Sequence, residues 1–191
     1  MPKERLTAFS DGVIAIIITI MVLELKVPHS ADWAALAELA PVFFSYVLSF
    51  VYVAIYWNNH HHFMHAVSRV NGAILWANMH LLFWLSLVPF ATTWLGENHF
   101  SAVPTAIYGV ALLMPGIAYY VLQLVVLRDQ GPEGMLRKAI GRDLKGNLSP
   151  LAYMAGVGLA FVAPVASLAI YVLVALVWLI PDRRIEAVLK D

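Results

Sequence analysis

The sequence contains no cysteine among its 191 residues. Thiolate metal sites, disulfide frameworks and cysteine nucleophiles are therefore excluded. Charged side chains are also scarce: they make up 13% of the chain, whereas soluble domains carry about 25%. Neither sign of charge dominates, because Lys and Arg together number 12, as do Asp and Glu together. A chain without a net positive field has little with which to hold nucleic acid, so we expect no nucleic-acid partner.

Long apolar runs are abundant, since 61% of the residues are apolar. A helix needs roughly 20 such residues to cross a hydrocarbon core of about 30 Å. The first run is too long for the apolar core of a cleaved signal peptide, so we expect it to remain in the mature protein. We predict an all-α integral membrane protein with a single domain, residues 1–191. Its six predicted transmembrane helices are about residues 6–27, 39–60, 72–95, 102–127, 148–163 and 165–181.

The last two predicted spans are divided at Pro164. Residues 148–181 form one apolar stretch, which as a single helix would measure roughly 51 Å at about 1.5 Å per residue, too long for one crossing. A proline near the middle removes a backbone donor and tends to break a helix. We therefore predict two short spans joined by a tight turn.

Basic residues are distributed unequally between alternate loops. With six spans, Lys26 lies alone on one side of the membrane and the other eleven basic residues lie opposite. Because Lys and Arg accumulate on the cytoplasmic side, both termini are predicted to be cytoplasmic. The eleven residues are Lys3, Arg5, Arg69, Arg128, Arg137, Lys138, Arg142, Lys145, Arg183, Arg184 and Lys190.

The predicted outer side is mildly anionic. Its charged residues besides Lys26 are Glu24, Asp32, Glu38 and Glu97. Such a surface enriches cations and depletes anions, although a solvated acidic loop is the more ordinary interpretation. On the inner side, residues 129–147 are amphipathic and charged, and we interpret them as a cytoplasmic surface segment.

The first predicted helix opens with polar residues at the edge of the bilayer. An ionisable side chain at membrane depth, such as Asp11, is costly unless it finds a partner or water, which makes it a functional candidate. Alternatively, Ser10 or Asp11 caps the helix by accepting hydrogen bonds from free backbone amides. The two interpretations are compatible.

One face of this helix forms a continuous stripe. At 100° per residue, a set of side chains falls within about 100° of arc, and Thr19 is the only mid-membrane hydroxyl among them. From spacing alone, a packing face is the favoured interpretation. The stripe consists of Gly12, Ile16, Thr19, Ile20, Leu23 and Val27.

The start of the first helix carries a motif. Residues 5–11 read RLTAFSD and match the R-x-x-x-F-S-D signature of the transmembrane protein 175 family, which includes an endolysosomal potassium channel of animals and smaller bacterial and archaeal relatives. The likeness continues through residues 24–28, a W-x-x-H element from Trp57 to His60, and Asn78. The sequence thus resembles a prokaryotic member of that family.

The resemblance implies a potassium-preferring cation channel, a homotetramer with a central pore lined by the first helix, in the cell membrane of a prokaryote. Ile16 would be the tightest apolar constriction and the gate, and Ile20 and Leu23 would line the path outward. Thr19 would supply a ring of four hydroxyls for selectivity, although the resemblance leaves open which ring sets potassium preference. The implied partners are identical subunits, monovalent cations and the lipid bilayer. No cofactor and no metal site is expected, potassium being the permeant ion.

The resemblance also implies a polar network that holds the first helix against the second and third. These residues would support the pore helix structurally and would not be ion ligands. The implied members are Arg5, Phe9, Ser10, Asp11, Trp57, His60 and Asn78.

Two familiar channel elements are absent from the sequence. There is no Thr-Val-Gly-Tyr-Gly carbonyl filter, so selectivity must come from side chains and we expect only modest discrimination against sodium. Repeated mid-membrane arginines are also absent, which argues against steep voltage dependence.

A histidine cluster allows several interpretations. His61 and His65 have the i, i+4 spacing for two imidazoles on one metal ion, but no cysteine or carboxylate in the same turn completes a tetrahedral site. A structural role for the cluster, which also includes His60, His62 and His80, is favoured over pH sensing and metal binding.

Functions of other classes are less well supported. A secondary transporter, or a proton or metal-cation pathway through the histidines, is the alternative to a channel, but the sequence shows no internal repeat and a continuous first helix. An enzyme is not expected, because no nucleophile or metal with a positioned base is evident.

Overall fold

The computed structural model describes residues 2–131 and 144–179, and within these ranges all regular secondary structure is α-helical. Apolar runs without strand-like alternation favour this outcome, because a helix satisfies its own backbone groups in an apolar environment. The helices are α1 (Lys3–Leu23), α2 (Trp33–Glu38), α3 (Ala40–His65), α4 (Gly72–Ser86), α5 (Val88–Glu97), α6 (Ala102–Gln130), α7 (Leu144–Leu159) and α8 (Pro164–Leu179).

Four stretches of these helices are long and apolar enough to cross a membrane. They are Lys3–Leu23, Ala40–His65, Gly72–Glu97 and Ala102–Gln130, and they overlap the first four predicted spans. The helices α7 and α8 have 16 residues each, which corresponds to a length of about 24 Å. The count of six spans therefore remains a prediction.

The third predicted span is not one continuous helix. It is interrupted at Leu87, which is both the C-cap of α4 and the N-cap of α5. Pro89 follows in the first turn of α5, where the missing N–H of proline costs nothing because that position lacks an intrahelical partner. The stretch Gly72–Glu97 as a whole is still long and apolar enough to cross a membrane, so the structure agrees with a third span here, with a helix break at Leu87.

The structure differs from the sequence prediction at two other places, an additional short helix and an earlier helix start. The loop after α1 contains the short helix α2, whose N-cap Asp32 accepts a hydrogen bond from the backbone N–H of Ala35 at 2.8 Å. Helix α7 begins at Leu144, four residues before the predicted start of the fifth span.

The turn at Pro164 is present. Helix α7 ends at Leu159 and α8 begins with Pro164 itself, a first-turn position that proline tolerates. The hydroxyl of Ser167 in α8 donates to the backbone carbonyl of Gly156 in α7 at 2.7 Å. The two helices are therefore packed back on each other across the turn.

Tyr171 of α8 sits in a space made by two glycines. A methyl group added at Gly109 of α6 would lie 2.0 Å from the Tyr171 hydroxyl, and one added at Gly156 of α7 would lie 2.4 Å from its ring. Both glycines are therefore required for the close approach of α6, α7 and α8.

Helix α1 packs against α3, α4 and α5. Its buried side chains recur at helical spacing and include one polar residue, while the opposite face is exposed. The buried set is Leu6, Ser10, Ile14, Ile17 and Met21.

Some sequence predictions lie outside the described residues. They include most of the predicted cytoplasmic segment 129–147 and the end of the sixth predicted span. The basic residues outside are Arg137, Lys138, Arg142, Arg183, Arg184 and Lys190.

Candidate functional site

The stripe on α1 lies on the exposed face of the helix. The exposed fractions of its bulky apolar members are 57% for Ile16, 42% for Ile20 and 79% for Leu23. Their spacing of three and four residues keeps them on one side of the helix, whereas the core residues Ile14 and Ile17 are turned into the subunit. Three apolar side chains are thus free to contact something outside the subunit.

Thr19 lies on the same exposed face, one turn from Ile16. Its hydroxyl is 3.0 Å from the backbone carbonyl oxygens of both Ala15 and Ile16. Because the hydroxyl hydrogen is directed to its own backbone, the oxygen lone pairs point away from the helix as acceptors. The geometry suits an oxygen ligand for a cation.

A buried chain of hydrogen bonds connects α1, α3 and α4. The side-chain amide of Asn78 donates to the Ser10 hydroxyl oxygen at 2.9 Å, and that hydroxyl donates to the backbone carbonyl of Leu6 at 2.9 Å. Nε2 of His60 lies 2.8 Å from Oδ1 of Asn78, which makes Nε2 the donor. All three side chains are buried, so the chain fixes the rotation of α1 against its neighbours.

The second ring nitrogen of His60 is a buried atom without a partner. Nδ1 has no hydrogen bond to any residue that the structure describes. With Nε2 donating to Asn78, the neutral ring carries its lone pair on Nδ1.

A separate hydrogen bond joins the N-terminal half of α1 to α3. The indole N–H of Trp57 donates to Oδ1 of Asp11 at 3.0 Å, and the Trp57 ring stacks on His61 with centroids 5.8 Å apart. Asp11 is half-buried, so the indole offsets part of the cost of desolvating its carboxylate.

The structure does not bring every implied network residue together. Ser10, Asn78 and His60 form one chain and Asp11 and Trp57 form a separate pair. Arg5 is exposed and forms no hydrogen bond or ion pair with residues in the described ranges, and Phe9 is 49% exposed. Within one subunit, therefore, Arg5 and Phe9 lie outside both sets, facing the same side as the stripe.

The C-terminal end of α1 is followed by a charged pair. Lys26, just beyond the helix, forms an ion pair with Glu97 at the end of α5. The hydrogen bond to the Glu97 carboxylate raises the pKa of the Lys26 ammonium above its ordinary value. Glu24, the C-cap of α1, is exposed beside them. Glu24 also attracts the Lys26 ammonium electrostatically, so two carboxylates share one cation next to Leu23.

A groove of about 680 Å³ runs between α1 and α5. Ile16 and Ile20 form part of one wall, and Phe90 and Trp94 form part of the other. The groove is therefore continuous with the exposed stripe, and both surfaces are mainly apolar.

Comparison with known proteins shows which family this chain belongs to. The family model described as the endosomal/lysosomal potassium channel TMEM175 matches residues 5–89. A potassium channel of a Chryseobacterium species (strain P1-3) is 54% identical over 191 residues, which is 100% of both chains. The chain belongs to the TMEM175 family. A potassium channel of Streptomyces collinus is 34% identical over 183 residues, 90% of this chain and 89% of that one.

A solved structure supports the same assignment at the level of the fold. The crystal structure of a lysosomal potassium-selective channel TMEM175 homolog from Chamaesiphon minutus superposes with a TM-score of 0.84 at 28% identity, covering 94% of this chain and 97% of that one. This TMEM175 family member is accordingly an integral membrane protein of a channel family and not an enzyme.

The TMEM175 match covers α1 to the beginning of α5, and all the predicted site residues fall inside it. Sequence reasoning nevertheless missed a second buried chain of hydroxyls farther along the helices. Thr92 donates to Ser49 at 2.7 Å, and Ser49 lies 2.8 Å from the hydroxyl of Tyr108. The three hydroxyls lie on three different apolar helices, so their spacing along the sequence does not predict that they meet. Only the packed structure shows the hydrogen bonds between them.

Proposed function

We propose that the protein is a potassium-preferring cation channel in which the α1 helices of four identical subunits surround a central pore. The observation that supports this most is the exposed stripe of Ile16, Thr19, Ile20 and Leu23 on α1, in a chain of a channel family. One subunit has a single copy of this helix, and one helix cannot enclose a passage. Several copies meeting around an axis would.

The apolar members of the stripe form the gate in this scheme. A ring of four Ile16 side chains narrow enough to exclude water closes a pore by dewetting, and a small rotation of α1 widens it. Ile20 and Leu23 continue the apolar lining outward, where Glu24 provides negative charge that raises the local concentration of cations.

Thr19 supplies the polar step in this otherwise apolar path. Its hydroxyl hydrogen is satisfied by the carbonyl of Ala15 or Ile16, so four oxygens are available to replace part of the hydration shell of an ion. Hydroxyl oxygens on flexible side chains have a weaker field than a fixed carbonyl cage, and selectivity over sodium is therefore modest.

The polar contacts of α1 have a supporting role. Ser10, Asn78 and His60 hold its buried face, and Trp57 holds Asp11. Both sets lie on the side of α1 that faces its own subunit, so they fix the direction of the stripe without contacting the ion.

The proposed placement in the membrane follows from the distribution of charge. Both termini lie on the cytoplasmic side of a multi-pass protein with six spans, because eleven of the twelve basic residues then share that side. The relatives of similar length come from bacteria, which supports a location in the cell membrane of a prokaryote.

A flux assay tests the proposal directly. Purified protein in liposomes is expected to pass potassium and caesium faster than sodium. The flux should be fast, should not saturate and should not require a coupled counter-ion. Saturating, slow, coupled uptake would instead establish a transporter. Cross-linking in detergent is expected to give a ladder that ends at four chains.

A transporter mechanism has no comparable structural support. Alternating-access transporters place broken helices at the binding site, whereas α1 is continuous over 21 residues. The break at Leu87, inside the third predicted span, is explained by Pro89 in the first turn of α5. A proton or metal-cation pathway through the histidines would also leave the exposed stripe on α1 without a function.

Replacement of Thr19 with alanine is expected to lower potassium preference. The ring would lose its four oxygens, and a change of about 0.6 kcal/mol between the two ions alters their permeability ratio roughly three-fold. The measurement is the potassium-to-sodium permeability ratio from reversal potentials in planar bilayers.

The matched control is Thr19→Ser, which keeps the hydroxyl and should keep the ratio. Thr7→Ala removes a hydroxyl that also bonds its own backbone, at Lys3, but away from the stripe, and should have no effect. Unchanged selectivity in Thr19→Ala would return the role to the Ile16 ring.

A further inference from the structure

Two histidines at the end of α3, His61 and His65, bring their Nε2 atoms close together. His61 and His65 lie four residues apart and therefore on the same face of the helix. Their Nε2 atoms are hydrogen-bonded to each other at 3.2 Å, and their ring centroids are 4.7 Å apart. Two imidazoles bound to one tetrahedral ion at about 2.0–2.1 Å each would have nitrogens about 3.3 Å apart. The observed separation already matches that requirement.

We propose that His61 and His65 bind a single divalent transition-metal ion through their Nε2 atoms. Imidazole nitrogen is a favoured ligand of Ni²⁺, Cu²⁺ and Zn²⁺, whereas Mg²⁺ prefers oxygen. The proposal concerns a site on the surface of the subunit and does not depend on the channel function.

The site lies at an exposed end of α3, beyond the second predicted span (residues 39–60), and one of its two rings is held in place. His65 is exposed and His61 is half-buried, so an ion can reach both Nε2 atoms without a rearrangement of the helix. It displaces the proton that the two nitrogens share in their hydrogen bond. Trp57 stacks on the His61 ring at an interplanar angle of 30°, which restricts the orientation of that imidazole. A ligand that is already oriented loses less entropy when the ion binds.

The rest of the coordination sphere is supplied by water. Among the residues that the structure describes, no group of three or more His, Cys, Asp or Glu side chains could hold a metal ion. His62 contacts the edge of the His61 ring, with centroids 5.6 Å apart, but it is not part of the converging pair. The site therefore has two protein ligands and open positions.

The position of the pair gives it a connection to α1. Trp57, which stacks on His61, donates its indole N–H to Asp11. An ion that holds the His61 ring in place also holds the surface on which Trp57 rests. The proposed metal site is thus connected to α1 through one side chain, Trp57, which contacts both His61 and Asp11.

Calorimetric titration of the purified protein with NiCl₂ tests the proposal. The protein is used as the full chain in detergent, after removal of any histidine tag. We expect one Ni²⁺ per chain, a Ni²⁺-dependent rise in the unfolding temperature, and no binding of MgCl₂. Even loss of an outer-shell partner weakens metal sites by about 10- to 100-fold, so loss of either direct ligand should weaken binding by at least about 10-fold.

The variants separate this pair from the other histidines. His61→Ala and His65→Gln should both lose binding, while His62→Ala, with its neighbouring ring, should keep it. Unfolding temperatures without Ni²⁺ check that each variant is folded, and His65→Gln alters only an exposed side chain. Absence of binding by the unaltered chain, binding that survives both variants, or binding lost equally in His62→Ala would overturn the proposal. Potassium flux is not measured here, so a failure would leave the channel assignment untouched.

Discussion

Replacement of Ile16 with asparagine is expected to raise potassium conductance about ten-fold or more. In the proposed tetramer each subunit would then present an amide to the axis in place of a butyl group, and water would enter the constriction that four isoleucines are proposed to keep dry. A barrier lowered by about 1.4 kcal/mol already increases the rate of passage about ten-fold. The measurement is single-channel conductance in planar bilayers, together with the fraction of time spent open.

Two neighbours of Ile16 provide matched controls. Val22→Asn also places an amide on an exposed part of α1, at a residue that is 45% exposed but about 120° from Ile16 around the helix. Its conductance should be unchanged. Ile17→Asn places the amide in the buried face and should lower the unfolding temperature instead. Equal conductance for Ile16→Asn and the unaltered chain would move the gate to another residue.

The direction of the stripe could not be derived from composition alone. Residues 13–18 are all aliphatic, so helical periodicity offers no contrast between the buried Ile14 and Ile17 and the exposed Ile16. What distinguishes the two faces is the partner of Ser10, namely Asn78 on another helix. The expectation that this stripe faces away from its own subunit came only from the family resemblance carried by residues 5–11.

The prolines also show that local sequence does not by itself predict where a helix ends. Pro164 and Pro89 each coincide with a new helix start, but Pro115 lies inside α6, which continues from Ala102 to Gln130. Prolines are tolerated within apolar helices where neighbouring helices and local adjustments satisfy the freed carbonyl. Pro115 is buried among such neighbours. The sequence contains the proline, but the packing decides whether the helix ends.

The run of three histidines illustrates the same dependence on distant residues. His60 is buried and bonded to Asn78, whereas its neighbour His61 is turned towards Trp57 and His65. Successive residues on a helix are 100° apart, so only one of the three can face α4. Which one it is depends on where Asn78 lies, 18 residues later in the chain.

Loss of the Asp11 carboxylate is expected to destabilise the assembled protein. In Asp11→Ala, the indole N–H of Trp57 loses its acceptor, and α1 is released from α3 at the end where it enters the membrane. Polar contacts between membrane helices contribute about 0.6 kcal/mol on average and up to about 1.7 kcal/mol, and the loss recurs in every subunit of a tetramer. We expect a lower unfolding temperature and a smaller tetramer fraction, measured by cross-linking and particle mass in detergent.

Two matched variants decide whether Asp11 acts through its hydrogen bond or through its charge. Asp11→Asn keeps an oxygen acceptor for Trp57 but removes the charge, and it should preserve both assembly and potassium flux. Trp57→Phe removes the same hydrogen bond from the other side while keeping a ring against His61, and it should reproduce the effect of Asp11→Ala. If Asp11→Ala formed a stable tetramer with altered permeation, or if Asp11→Asn lost flux while remaining assembled, the carboxylate would belong to the ion pathway. The supporting role of Asp11 would then be wrong, because a residue that only positions α1 cannot change permeation while the helix stays in place.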